Sequence, residues 1–357
     1  MSDRLVLSKA STRSCKQSGF TLVELMVALL LGLVLLGSVV TIMSSTRQTL
    51  RGGENLARMQ ESARFAFEIL LRDLRDAGAN PCGARSLANV IRVSGVVPWW
   101  ADWDSGAVRG FDGSEATTIA PFGTSAAARV DGTDAVLTLR TALDEAAVKL
   151  VSAHDPAGPT FTLPAAAPIK SNDIVLACDA KSGALLQVGT IGGSTDIEYG
   201  TGTLNCTDDL GYPTPANCTG TTARTFDPGA SITKWEPGLW YVGINSRGSR
   251  SLFRKTPVPQ NSGAVTVQSE EIIPGVHDMQ VDYLTRDAAG STLSTAWVPA
   301  SDTTFAAASG AWTATNTKQV VAVRVRLTIR SEENVGTDGT PLERQFVAVA
   351  ALRARDL

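Results

Sequence analysis

The sequence predicts an α+β fold: a long N-terminal α-helix whose first half crosses a membrane, packed on a C-terminal antiparallel β-sheet domain with long loops. Three observations predict it. Residues 25–46, LMVALLLGLVLLGSVVTIMSST, hold no charged side chain. In residues 54–77, Leu56, Met59, Ala63, Phe67, Leu70 and Leu74 recur at helical spacing and form one apolar face. Beyond residue 80, short segments alternate apolar and polar side chains and are parted by Gly, Pro, Ser and Thr.

Composition bounds the function. The chain has 357 residues, 43% hydrophobic and 19% charged, enough apolar material for a packed core and too little charge for wholesale disorder. Lys and Arg number 32 against 35 Asp and Glu, a net charge of −3, with no basic stripe of the kind a nucleic-acid binder shows. His154 and His277 are the only histidines, which leaves little for metal or acid–base sites. No G-x-x-x-x-G-K-[ST] phosphate loop occurs. No enzyme activity is expected, and no cofactor or metal.

The uncharged run comes first. As a helix rising ~1.5 Å per residue it covers the ~30 Å hydrocarbon core of a bilayer. It is longer than the apolar stretch of a secretory signal and ends in a poor cleavage site, so a permanent anchor is expected. Arg4, Lys9, Arg13 and Lys16 precede it against one acid, Asp3, which marks the cytoplasmic side, although Arg47, Arg51 and Arg58 make the far side basic too. Glu24 stands inside the apolar sequence GFTLVELMVALL. A carboxylate at membrane depth costs a few kcal/mol and is normally paired or functional. It also suits the start of a helix, where the dipole favours negative charge. The residues alone leave these two readings level.

Gly52-Gly53 is a place for the helix to loosen or kink. After it, Arg64/Glu68, Glu68/Arg72 and Arg72/Asp76 stand at helical neighbour distance, and Gly78 and Pro81 end the pattern. One rod from Phe20 to about Ala77 is expected. Strands are expected at 134–140, 173–178, 185–191, 239–244, 276–284, 321–330 and 345–352, the clearest being VAVRVRLTIR at 321–330. With no helical pattern between them, they favour an antiparallel sheet. Residues 152–167 and 200–229 are long, Gly/Pro/Thr-rich and expected to be exposed loops.

The segment Lys16-Gln17-Ser18-Gly19 followed by Phe20-Thr21-Leu22-Val23-Glu24-Leu25 resembles the class III leader of type IV prepilins and pseudopilins. The resemblance implies a pilin-like fold, cleavage by a prepilin peptidase between Gly19 and Phe20, and N-methylation of Phe20. It also implies that Glu24 pairs with the amino terminus of a neighbouring subunit during assembly, a register device more than a stabilising one. Major pilins often carry a helix-disturbing proline further along this segment, where Thr41 stands here. The implied organisation is a leader at 1–19, a transmembrane half-helix at 20–46, an amphipathic periplasmic half at 47–78, and a β-rich periplasmic domain at 79–357.

Removing the leader removes Cys15 and leaves Cys82, Cys178, Cys206 and Cys218, an even number facing an oxidising compartment. Three connectivities are open. The favoured one joins the local pair Cys206/Cys218 and lets Cys82, just past the helix, reach Cys178. Zinc is disfavoured because there is no CxxC and no nearby histidine. Asn205-Cys206-Thr207 and Asn217-Cys218-Thr219 match a glycosylation pattern but read better as turns. Trp99, Trp100 and Trp103 read as local core before subunit contact. Ser231-x-x-Lys234 matches an acyl-enzyme pattern without its companion motifs. His154 and His277 read as surface or turn residues.

Cleaving 19 residues leaves 338 of 357, large for a pilin. That size, the helix ARFAFEILLRDLRDAGA ending before a cysteine, and the C-terminal VAVAALRAR resemble PilW-type minor pilins. This implies a subunit of a tip or priming complex that starts type IV pilus assembly with other minor pilins and the major pilin, supporting twitching motility and adhesion indirectly. It also implies a bacterial inner-membrane location before the pilus. A J-type minor pseudopilin of a type II secretion system is the alternative. A membrane-anchored periplasmic enzyme or binding protein is a third class, which has no use for Gly19 or Glu24.

Overall fold

The computed structural model describes residues 19–83, 86–142, 147–154, 157–164, 167–189, 191–192, 195–200, 204–215, 217–219, 222–287, 292–302, 305, 318–336 and 338–352. Residues 1–18 of the expected leader, Cys15 included, and Arg353 and Arg355 of the C-terminal segment lie outside the described residues. The chain divides into two compact units, Met1–Glu54 and Asn55–Leu357.

In the first unit the helix α1 (Leu22–Arg75) begins. Thr21 caps it: its hydroxyl accepts the Glu24 N–H at 3.3 Å, the Thr-x-x-Glu arrangement of a capping box. From Leu22 through Met43 the large apolar side chains are exposed, Leu30 and Leu36 at 64% each. The hydroxyls among them turn back on their own helix. Ser38 donates to the Leu35 carbonyl, Thr41 to Gly37, Ser44 to Thr41 and Thr46 to Ile42, all within 2.9 Å. The helix assignment runs on through Gly52-Gly53. A glycine costs roughly 1 kcal/mol of helix propensity but leaves the backbone ladder intact.

In the second unit α1 ends where the sequence places its stop signals. Arg72 and Arg75 complement the dipole in the last turn. Gly78 takes φ 77°, the left-handed geometry that glycine adopts without strain, and donates to the Leu139 carbonyl at 2.8 Å. The buried stripe is Met59, Ala63, Ala66, Leu70, Asp73, Leu74 and Ala77; Leu56 and Phe67 of the expected face are only half-buried.

Seventeen described strands form four sheets. One runs β13 (Val265–Pro274), β12 (Arg250–Pro259), β11 (Gly238–Ile244), β3 (Ala135–Thr138), β2 (Val108–Phe111). The C-terminal sheet runs β15 (Val298–Pro299), β14 (Val276–Asp287), β16 (Lys318–Arg330), β17 (Glu343–Ala351). A third runs β1 (Leu87–Asn89), β7 (Gly183–Gln187), β6 (Ile174–Cys178), β10 (Ser231–Lys234), β4 (Val148–Lys149). The smallest is β5 (Thr160–Thr162), β9 (Asp196–Glu198), β8 (Ile191–Gly192). Pairing is antiparallel except between β1 and β7, which run parallel.

Three cores result. In the first, the stripe of α1 packs on Trp240, Val242, Leu252, Met279, Val325 and Leu327, joining the helix to the C-terminal sheet and the β11–β12 region. Full burial of each Leu or Met in such a core stabilises by ~1.5–3 kcal/mol. The second core holds Trp100, Trp103 and Trp235. The third holds Phe161, Tyr199 and Phe226. It corrects the expectation of plain exposed loops at 152–167 and 200–229. Both segments contribute buried aromatic side chains, and β5 lies in the first, because Phe161 and Phe226 need a hydrophobic partner that Gly/Pro-rich composition conceals.

Candidate functional site

Glu24 lies in the first turn of α1 and is the sole ionisable side chain between residues 20 and 46. Gly19 and Phe20 precede the helix in exposed chain without regular structure, Phe20 at 79% exposure. Glu24 stands four residues beyond Phe20, its backbone N–H capped by Thr21. Among the described residues, α1 is the one helix long and apolar enough to cross a membrane.

At its other end α1 is tied down by an acid the sequence reading passed over. Asp73 sits on the buried stripe and is fully buried. Its carboxylate lies 3.1 Å from Arg140 and 3.0 Å from Arg254, and accepts the Trp240 indole N–H at 3.1 Å. Arg140 also reaches Glu236 at 3.0 Å, and Arg254 lies over the Trp240 ring. Gly238 leaves room for this: a Cβ there would come within 3.0 Å of Arg254 Nε. The signal was available, since Asp73 falls at the i+3 position from Leu70 in an otherwise apolar row.

Two disulfides are present, Cys82–Cys178 and Cys206–Cys218. The first links the chain just after α1 to β6. The second closes a short loop beside Asn205. That asparagine is buried and exchanges hydrogen bonds with the Gln187 backbone at 2.8 Å in both directions, so it acts as a piece of strand and not as a turn. Asn217 does form a turn, accepting the Thr219 N–H at 3.2 Å.

The other singled-out residues fall into place as structure. Trp100 and Trp103 are buried and Trp99 half-buried; Trp103 lies 5.8 Å from Trp235, whose indole donates to the Trp100 carbonyl. Ser231 is buried and bonded to Lys149, while Lys234 lies 4.0 Å from Asp173, so the Ser-x-x-Lys pair is not brought together. His154 corrects its surface assignment. It is 2% exposed, bonded to Tyr199 and packed against the rings of Phe161 and Phe226, because its own ring fills the third core. His277 is half-buried at the start of β14, and burial together with Arg250 and Arg330 lowers its pKa.

Asp134 is a half-buried acid. It accepts the N–H groups of Gly113 and Val281 at 2.7 Å each and so fastens β14 to the turn after β2. Burial pushes its carboxyl up to about 6 despite those two donors. Nearby Arg129 is wholly buried and donates to the carbonyls of Phe111, Asp112 and Thr133; burial lowers it to about 10. A groove of about 630 Å³ lies between α1 at Asn55, Met59 and Phe65 and the chain at Pro274, Gly275 and Ser331. No group of three or more His, Cys, Asp or Glu is placed to hold a metal among the described residues.

An exposed apolar helix with a capped acid at its start, joined by sequence to a β-rich unit, defines a pilin-like α+β architecture. The prokaryotic N-terminal methylation motif matches residues 14–40, which include Gly19, Phe20 and Glu24. Residues 239–354, from β11 through β17, match the family of type IV pilus-assembly protein W. Together these match the chain to a PilW-type pilin with a class III leader, a type IV pilus-related minor pilin. No curated protein and no solved structure matches the chain.

Proposed function

We propose that the chain is a minor pilin that helps to start type IV pilus assembly. In this reading a prepilin peptidase cuts between Gly19 and Phe20 and Phe20 is N-methylated. Residues 20–46 hold the subunit in the inner membrane, with 47–78 and the domain at 79–357 in the periplasm. Other minor pilins then join it in a tip or priming complex on which the major pilin polymerises, and twitching motility and adhesion follow from the finished fibre. Its role is structural, as it is in the matched families.

The observation that carries the reading is the isolation of Glu24. It is a charge that a simple anchor has no use for, one helical turn from the amino terminus that cleavage after Gly19 would create. A free α-amino group there would supply the cation the carboxylate lacks among the described residues, within one subunit or from the next. The test is the mass of the N-terminal peptide of the protein purified from membranes. A terminus at Phe20 carrying one methyl group is expected. An intact Met1 terminus, or a cut near Ser45, would replace this reading with a plain anchor or a secreted protein.

A further inference from the structure

The described sheets have two long edges, β13 and β17; the other edge strands have four residues or fewer. Long open edges invite pairing with other chains, and proteins guard them with charge, proline or brevity. The ten-residue β13 carries Glu270 and Glu271 and ends in Pro274. The nine-residue β17, ERQFVAVAA, has its charges at one end and none from Gln345 to Ala351. Val347 is 55% exposed and Val349 48%.

The free hydrogen-bonding groups of β17 can be assigned. Leu352 donates to Val321 and Ser331 donates to Leu342, so the even-numbered residues between them face β16. Gln345, Val347 and Val349 therefore point N–H and C=O to the open side. Among the described residues, β17 pairs with no strand but β16.

We propose that the open edge of β17 pairs antiparallel with β17 of a second copy of this chain, centred on Val347. The strand is self-complementary in that register. Val347 meets its own counterpart, and Gln345 meets Val349 of the other copy. On the face that packs on the core, bulky Phe346 meets Ala348, and Arg344 meets Ala350. Glu343, already 2.9 Å from Arg330, falls opposite Ala351, so no like charges meet. The result is an isologous contact that continues the four-stranded sheet across a two-fold axis. It stands on the sheet edge and does not depend on pilus assembly.

The test uses the full chain in membranes, in a Cys15→Ser background that leaves the two disulfides as the only other sulfur pairs. Val347→Cys treated with a short bis-maleimide should give an adduct of twice the subunit mass. Val267→Cys, exposed on the guarded edge β13, should give about tenfold less. Adding Val349→Pro or Gln345→Pro to Val347→Cys removes an outward N–H and spares the bonds to β16. Either should lower the adduct about tenfold. Retention of the Cys82–Cys178 bond on a non-reducing gel reports that each variant is folded. No doubled adduct, equal adducts from Val347→Cys and Val267→Cys, an adduct indifferent to both prolines, or one whose mass identifies a different protein would each overturn the proposal.

Discussion

Asp73 on α1 and Arg254 on β12 stand 3.0 Å apart, the carboxylate sealed from solvent and shared with Arg140. One acid thus joins the helix to two places in the β-rich unit. The Trp240 indole adds a third tie from β11. A buried charge with this many partners fixes which residues of α1 face which strands, because sliding the helix by one turn would leave a carboxylate in apolar packing and two guanidinium groups without it.

Asp73→Asn should therefore lower stability by about 3 kcal/mol, since it leaves buried cations uncompensated. Urea unfolding of the detergent-solubilised protein measures this. Arg254→Gln added to Asp73→Asn should cost less than the two single changes summed, because the pair acts as a unit. Additive losses would show that Asp73 and Arg254 are neighbours without being coupled.

The two disulfides should differ in weight. Cys82 and Cys178 are separated by 96 residues and Cys206 and Cys218 by 12. Chain-entropy arguments give ~4–5 kcal/mol for the first and ~3 kcal/mol for the second. Paired Cys→Ser variants, melted side by side, should lose more at Cys82/Cys178. The reverse order would mean that the short loop organises the third core around it.

Asp134 predicts a pH dependence. Its folded-state pKa of about 6 lies above the ordinary carboxylate value of 3.8. The folded chain therefore holds this proton more tightly than the unfolded chain does. The contribution is fully present below pH 3.8 and is lost as pH rises through about 6. Its size is about 3 kcal/mol from the span of that shift. Unfolding midpoints compared across the window should fall with rising pH relative to those of Asp134→Asn, which does not titrate. Parallel profiles for the two proteins would assign no such role to Asp134.

At the other end of the chain, Glu24→Val should leave membrane insertion intact and reduce piliation at native expression. Counting fibres by electron microscopy beside a membrane fraction checks both halves at once. Normal piliation would remove the register role from Glu24. Replacing Gly19 by a bulkier residue should instead leave the leader attached, visible as a larger subunit on a gel.

Much of this architecture was legible in the residues. The uncharged run and the 3.6-residue stripe mark α1, and apolar segments mark β14, β16 and β17, with clear alternation in β16. What escaped had competing local signals. Pro257 and Pro259 argue against a strand, yet β12 runs through both. Its pairing with β11 ends at Lys255, so the prolines lie where only β13 is a neighbour and a missing N–H toward the open side costs nothing. Asp73 escaped because an acid on an apolar face declares itself only when its cations, 67 and 181 residues away, are brought beside it. The buried His154 and Phe161 escaped for a related reason: turn-rich composition says where a chain bends, not what its bends enclose.

The inward-turned hydroxyls of Ser38, Thr41, Ser44 and Thr46 bear on where α1 can live. Each of these four polar hydrogens is spoken for within the helix itself, so these side chains ask nothing of their surroundings beyond apolar contact. Acyl chains meet that requirement, and so do the side chains of other helices. Exchanging one for the other releases no stranded donor and strips no bound water. On the proposed reading, a subunit built this way would pass from lipid into a bundle of its own kind with little polar penalty from these four side chains, and the largest toll would fall on one carboxylate, Glu24.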